Sequence, residues 1–205
     1  MEISYSYNNA IHNETIDFEI IDKNHDILEN IDANYQNGSS TAGLTFKGVL
    51  NLRRTMNNSS KKWENQATLN GGGWALSDLR HWLNNEFIEY LPTNIQENLK
   101  PVQKLSDNGY YDTDRTLTTT YDKIFVPSLE ELNIFNSRYT TLGQGTPYVL
   151  FTDDYSRKIE TEYWTRSTSK LSFHAFVTIP NVESSASINT SGGGNIQTVV
   201  FCFCI

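Results

Sequence analysis

The sequence predicts an α+β domain with an antiparallel sheet, because its helical signals come early and its strand signals come late. The clearest helical signal is Leu76, Leu79, Trp82, Leu83, Phe87 and Tyr90, which recur at steps of three and four and so share one face at about 3.6 residues per turn. The clearest strand signal is the closing run Val199-Val200-Phe201-Cys202-Phe203-Cys204-Ile205. It carries no charge and is apolar on both faces, as a central, doubly covered strand must be.

The elements follow in order. Residues 1–42 are polar and rich in Asn, Asp and Ser, with one strand expected where Ile16, Phe18 and Ile20 alternate with Asp17 and Glu19. They are read as an N-terminal extension and attachment segment, ahead of a main domain over 43–205. The composition of Asn34 to Ser40 is that of a loop, Leu44 to Leu52 reads as a short structured segment, and Asn57 to Lys62 as a loop. The flexible run Gly71-Gly72-Gly73-Trp74 then feeds the amphipathic helix. Thr93 with Gln96 and Ser128 with Glu131 are N-cap pairs that each predict a short helix, the second following the strand-like run Lys123-Ile124-Phe125-Val126. Strands are expected at 163–167, 173–179, 186–189 and 199–205, separated by turns rich in Ser, Asn and Gly. Because the last strand runs to the final residue, loss of residues 201–205 is expected to unfold the domain.

Composition narrows the function classes. A chain of 205 residues with 38% hydrophobic and 12% aromatic side chains can bury a core of its own. Its net charge of -8 disfavours nucleic acid, which requires clustered Lys and Arg. No apolar run reaches the roughly 20 residues needed to cross a bilayer, and the start Met1-Glu2 lacks the basic head of a secretory signal. The expectation is a protein made in a cytoplasm, with no membrane partner.

The candidate chemical groups each have a plain structural role. Arg166, inside a strand between Trp164 and Ser167, is expected to point inward and bind loop carbonyls in preference to an anionic ligand. His12, His25, His81 and His174 are scattered without metal-ligand spacing, so no metal and no cofactor is expected. Asp112, Asp114, Asp153 and Asp154 lack a calcium-loop pattern, and Asp153-Asp154 reads as an ordinary turn. Cys202 and Cys204 share one face of a strand, a poor geometry for a disulfide, and read as buried, inert thiols.

Several pieces recur together in a known order. Gly72-Gly73-Trp74, Ser77-Asp78-Leu79-Arg80, Leu83-Asn84, Leu91-Pro92, Thr118-Thr119-Thr120-x-Asp122-Lys123-Ile124-Phe125, Ser128-x-x-Glu131, Tyr163-Trp164-x-Arg166-Ser167 and Phe201-Cys202-Phe203-Cys204-Ile205 resemble a domain of unknown function found in Gram-positive bacteria and their phages. The resemblance covers about residues 43–205. It implies a C-type lectin-like fold, a mixed or antiparallel sheet with two to three helices and long loops, related to the variable target proteins of diversity-generating retroelements. The sequence lacks the Glu-Pro-Asn and Trp-Asn-Asp motifs of calcium-dependent lectins, so no calcium-dependent sugar site is expected.

What the resemblance implies for function is a display face of polar loops late in the chain, carried here by Ser169, Ser172, His174, Ser185, Ser187, Asn189, Thr190 and Asn195, with Phe173 and Phe176 beside them. Short polar side chains near aromatics suit hydrogen bonding to sugars or proteins. The implied role is a non-enzymatic module on the virion surface, as a head-fibre, decoration or tail-tip protein. Its partners would be a host-surface glycan or protein and other virion proteins. Oligomeric state stays open, a homotrimer being common among particle fibres. Two alternatives come from other classes: a sulfatase-modifying-type oxidase using Cys202 and Cys204, and a bacterial surface adhesin domain.

Overall fold

A computed structural model of the chain describes residues 1–7, 10–29, 40–61, 69–109, 115–180 and 188–205. It is α+β, with mostly antiparallel sheets and few, short helices. The first 42 residues hold three strands where the alternation predicts one. Strands β1 (Glu2–Tyr7) and β2 (Ala10–Thr15) form an antiparallel hairpin, and β3 (Glu19–Lys23) joins the main sheet. Only the end of the alternating segment is a strand, since residues 16–18 connect β2 to β3: Ile16 is buried and Phe18 packs edge-on against Phe203 at 5.1 Å, but Ile20 is 53% exposed on β3. Period-two alternation marks a strand only where the backbone stays extended.

The main sheet adds β4 (Leu44–Thr55), β7 (Ile124–Phe125), β8 (Tyr163–Thr168), β9 (Ala175–Ile179), β10 (Asn189–Gly192) and β11 (Ile196–Cys204). Its order is β10-β9-β8-β11-β4-β3, with β7 also paired to β11. The closing strand is therefore central. It runs antiparallel to β4 and β7 and parallel to β8, which makes the sheet mixed. Leu44 and Ile205 exchange backbone hydrogen bonds of 3.1 Å, so pairing persists to the final residue. A second hairpin is built from β5 (Val102–Asp107) and β6 (Leu117–Asp122).

The predicted helix is present but broken into three. A 3-10 turn, Trp74–Leu76, leads to α1 (Asp78–Asn85), and a second 3-10 turn covers Phe87–Tyr90. The reason lies at Ser77, whose side chain accepts from the Arg80 amide at 3.1 Å and so starts α1 afresh. Leu76 falls before that cap and is 51% exposed, while Leu79, Trp82, Leu83 and Phe87 are buried. Phe87 meets Phe201 edge-on at 5.1 Å, which seats this block against the closing strand.

The glycine run is needed because of a close approach. Gly73 has φ 55°, and a Cβ there would lie 1.9 Å from the Asp107 carbonyl oxygen. The backbone can then place Trp74 so that its indole nitrogen donates to Asp122 at 2.8 Å. Asp122 also accepts from Arg80 Nε at 2.6 Å and from Thr120 at 2.8 Å. Asn84 completes the join, since its Oδ1 accepts from the amides of Lys123 and Ile124 while its Nδ2 donates to the Ile124 carbonyl.

Two expected helices differ from their sequence signals. The Thr93 segment forms α2 (Thr93–Gln96), capped by Pro92 with no side-chain cap. The Ser128 segment makes both capping-box bonds, yet it closes into a single turn in which Ile134 N bonds the Leu129 carbonyl at 2.9 Å. A third helix, α3 (Asp154–Arg157), follows instead.

Deleting residues 201–205 removes half of the central strand, and loss of the cooperative thermal transition by circular dichroism is the expected result. Phe201→Ala, which vacates a fully buried ring, is expected to cost about 3–5 kcal/mol in chemical denaturation.

Candidate functional site

The late polar loops are carried by β8, and β8 is held by charge. Arg166 is fully buried on it and points inward. Its guanidinium donates to the carbonyls of Leu105 (3.1 Å), Val126 (3.1 Å) and Gln144 (2.6 Å), and it grips both oxygens of Glu131. This is the structural role expected from the sequence. Glu131 also accepts from the Ser128 amide at 3.0 Å and from Lys104 at 3.0 Å. Lys104, itself buried, donates to Tyr148 OH at 2.8 Å and pairs with Asp26. Asp26 further accepts from Thr45 at 2.7 Å and from the Cys204 thiol at 3.3 Å.

Burial by itself would raise both carboxyls, but the opposing charges prevail. Arg166 and Lys104 hold Glu131 below the usual carboxylate range, and Lys104 with its hydrogen-bonding neighbours does the same for Asp26. Two negative and two positive charges thus balance in the interior. Gly145 sits against this cluster with φ 145°, and a Cβ there would lie 2.8 Å from Glu131 Cγ. Neither Lys104 nor Asp26 is marked by any sequence motif read above. Each occurs as an ordinary charged residue, and only the fold brings it inside.

The expected site residues divide into three sets. Ser169 is buried: its hydroxyl accepts from the Leu171 amide and its carbonyl from Arg115, so it stabilises the turn and does not face solvent. Ser185 and Ser187 lie outside the described residues, as do Asp112 and Asp114. Asn189 and Thr190 lie on β10 itself, while Ser172 and His174 sit on the turn after β8 and Asn195 on the turn after β10. Asn70 donates to the carbonyls of Ser172 (2.9 Å) and Ala175 (3.1 Å), and the Gly193 amide donates to the His174 carbonyl at 2.7 Å. The turn after β8 and the turn after β10 are therefore tied together. On the first, Phe173 is 38% exposed with its ring 4.0 Å from that of His174, and Ser172 and His174 are half-buried.

Asn189, Thr190 and Asn195 flank a polar ladder across the sheet. Glu162 accepts from Asn189 at 2.9 Å, from Gln197 at 3.1 Å and from Thr178. Gln197 and Asn195 both donate to Ser191 Oγ at 3.1 Å. Ser191 belongs to the loop expected on the display face, whereas no sequence motif marks Glu162 and Gln197, which come from the ends of two separate strands. Alternation of small polar residues on neighbouring strands was the available signal. The ladder so formed combines amides, hydroxyls and one carboxylate.

Other candidate groups are occupied. Cys202 and Cys204 are free thiols, buried, and burial pushes both well above their ordinary pKa. Asp153 caps α3 through the Ser156 amide, and Asp154 pairs with Arg157 at 2.7 Å, the ordinary turn that the sequence indicated. Among the described residues no cluster of His, Cys, Asp and Glu has the arrangement of a metal site. No helix among them is long and apolar enough to cross a membrane.

A family model described as Domain of unknown function (DUF6273) matches residues 47–203. No curated protein and no solved structure matches the chain significantly.

Glu131→Gln leaves Arg166 and Lys104 partly uncompensated in the interior, and a loss of about 3–5 kcal/mol is expected by denaturant titration. Acid should act in the same direction. The folded carboxyls of Asp26 and Glu131 refuse protons that the unfolded chain accepts at about pH 4, so their stabilisation is present above that pH and fades as pH falls. A melting temperature that declines steadily from about pH 5 to about pH 3 is the expected profile. Thiol reagent at neutral pH should label neither cysteine until denaturant is added, as followed by mass spectrometry.

Proposed function

We propose that this chain, which belongs to the DUF6273 family of domains of unknown function, is a non-enzymatic binding or decoration module of a phage particle. In this reading it is a head-fibre, decoration or tail-tip protein at the virion surface, and it adopts the lectin-like architecture that its ordered motifs resemble. It binds a host-surface glycan or protein through the turns after β8 and β10. The observation that carries the reading is the half-exposed Phe173 ring beside Ser172 and His174, on a turn braced by Asn70 and tied through the Gly193 amide to the turn that holds Asn195. An aromatic face accepts the apolar side of a sugar ring or a peptide side chain, and surrounding amides and hydroxyls accept its polar edge.

The mixed, mostly antiparallel sheet and the pinned loops support this assignment. Contact with other virion proteins is assigned to the β1–β2 hairpin, on which Ile11 is 79% exposed. A homotrimer is the assembly that goes with a fibre position. The oxidase alternative requires an accessible thiolate, and the sealed Cys202 and Cys204 weigh against it. The negative charge of the chain weighs against nucleic acid.

The test is host adsorption by particles carrying Phe173→Ala or Asn195→Ala, beside particles from which the gene is deleted. The expected result is adsorption reduced about tenfold for Phe173→Ala, with the melting temperature of the isolated protein retained. Deleted particles that look unchanged by electron microscopy and adsorb normally would overturn the reading.

A further inference from the structure

We propose that Lys104 and Asp26 condense after folding into an intramolecular isopeptide bond, Lys104 Nζ to Asp26 Cγ, with release of one water and with Tyr148 relaying a proton. The bond forms within the chain, needs no metal or partner, and does not depend on the loop face.

A primary amine, a carboxyl group and a second carboxylate meet in the interior, each from a different element. Lys104 lies on β5, Asp26 on the segment after β3 and Glu131 on the Ser128 turn, and all three are buried. Lys104 Nζ touches Asp26 Oδ1, and it lies 3.0 Å from Glu131 Oε1 and 2.8 Å from the Tyr148 hydroxyl. The Phe125 ring, with its centroid 3.7 Å from Nζ, covers the nitrogen from another side. Contact held by the fold replaces a bimolecular encounter, with effective concentrations of about 10⁵–10⁸ M for well-aligned groups. Each partner favours the charge of the other, so the ion pair is the resting form and the neutral amine beside a carboxylic acid is its minor, reactive form. Condensation is accordingly slow beside folding.

The atoms balance without an outside reagent. The ammonium first passes one proton to Asp26 Oδ1 within their hydrogen bond. The amine lone pair then forms the N–Cγ bond, and the electron pair displaced from the carbonyl collects on Oδ2. There the Thr45 hydroxyl at 2.7 Å and the Cys204 thiol at 3.3 Å donate, as the donors of an oxyanion hole do. Glu131 meanwhile faces the positive charge on the nitrogen. Tyr148 accepts a second proton from the nitrogen and gives its own to Oδ1, 3.1 Å from the phenol oxygen. The Cγ–Oδ1 bond breaks, Oδ1 departs as water with its electron pair, and the pair on Oδ2 restores the carbonyl. A cavity of about 210 Å³, lined in part by Asp26 and Glu131, takes up that water. One charge of each sign disappears together, so Glu131 stays matched by Arg166. The new N–H faces Glu131 Oε1 and the new carbonyl faces Thr45, which leaves both ends of the amide hydrogen-bonded. The bond joins positions 78 residues apart and ties the N-terminal segment covalently to β5.

The test is intact and fragment mass spectrometry of the full chain, incubated folded at neutral pH and then denatured. The chain should be lighter by one water than its sequence requires. Trypsin should fail to cut after Lys104, and the peptides that hold Asp26 and Lys104 should appear as one branched fragment. Lys104→Arg keeps the positive charge but offers no nucleophilic amine, so that chain should retain its full mass. Tyr148→Phe keeps the ring and removes the relay, and water loss about a hundredfold slower is expected. A native chain of full mass overturns the proposal. So does a water loss that fragmentation places anywhere other than between Asp26 and Lys104, or one that persists in Lys104→Arg. A Tyr148→Phe chain that condenses at the native rate overturns the relay.

Discussion

The carboxylate of Glu131 is buried beside two cations, and its charge has to be matched where it stands. Moving such a group from water to a protein interior costs several kcal/mol unless its partners are close and its lone pairs filled. Here the partners come from β5, from β8 and from the Ser128 turn, and Lys104 carries the linkage on to Asp26, just after β3. None of these segments can shift without stranding a charge. The interior therefore fixes one arrangement of strands that apolar packing alone would leave less strictly defined.

That arrangement holds two remote parts of the chain in place. Asp122 repeats the principle on a smaller scale, holding Trp74 and Arg80 of the glycine-helix block against the β5–β6 hairpin. Through Phe87 and Phe201 the block then supports the central strand. On the other side, Arg166 anchors β8, and the turn that follows it is clamped by Arg115 and Asn70. The binding face proposed for this turn would gain from such support, because loops already held in place lose less conformational freedom on meeting a partner.

The N-terminal residues contribute more to the domain than their composition foretells. β3 pairs with β4 at the edge of the sheet, Phe18 packs on the closing strand, and Asp26 completes the buried charge cluster. Polar composition is a poor guide at such a position. One strand and one carboxylate suffice to tie a polar segment into a core, and neither changes the average hydropathy of 42 residues.

The local sequence determined what depends on local physics: the buried face of the helix from Leu79 to Phe87, the central place of the Phe201-Cys202-Phe203-Cys204 strand, the buried thiols and the inward turn of Arg166. Each of these follows from spacing, from side-chain polarity or from a pair of residues close in the chain. What the sequence did not disclose was which charges meet and which polar side chains stay outside. Ser169 looks like a surface serine and is buried, while Glu162, Gln197 and Ser191 form a ladder from separate strands. The Ser128 capping box forms, but its turn stops after one round at Asn133, whose backbone is left-handed with φ 58°. Only the tertiary structure decided these outcomes, because hydrogen bonds and ion pairs between distant residues depend on register and crossing of strands, and those leave no periodic trace along the chain.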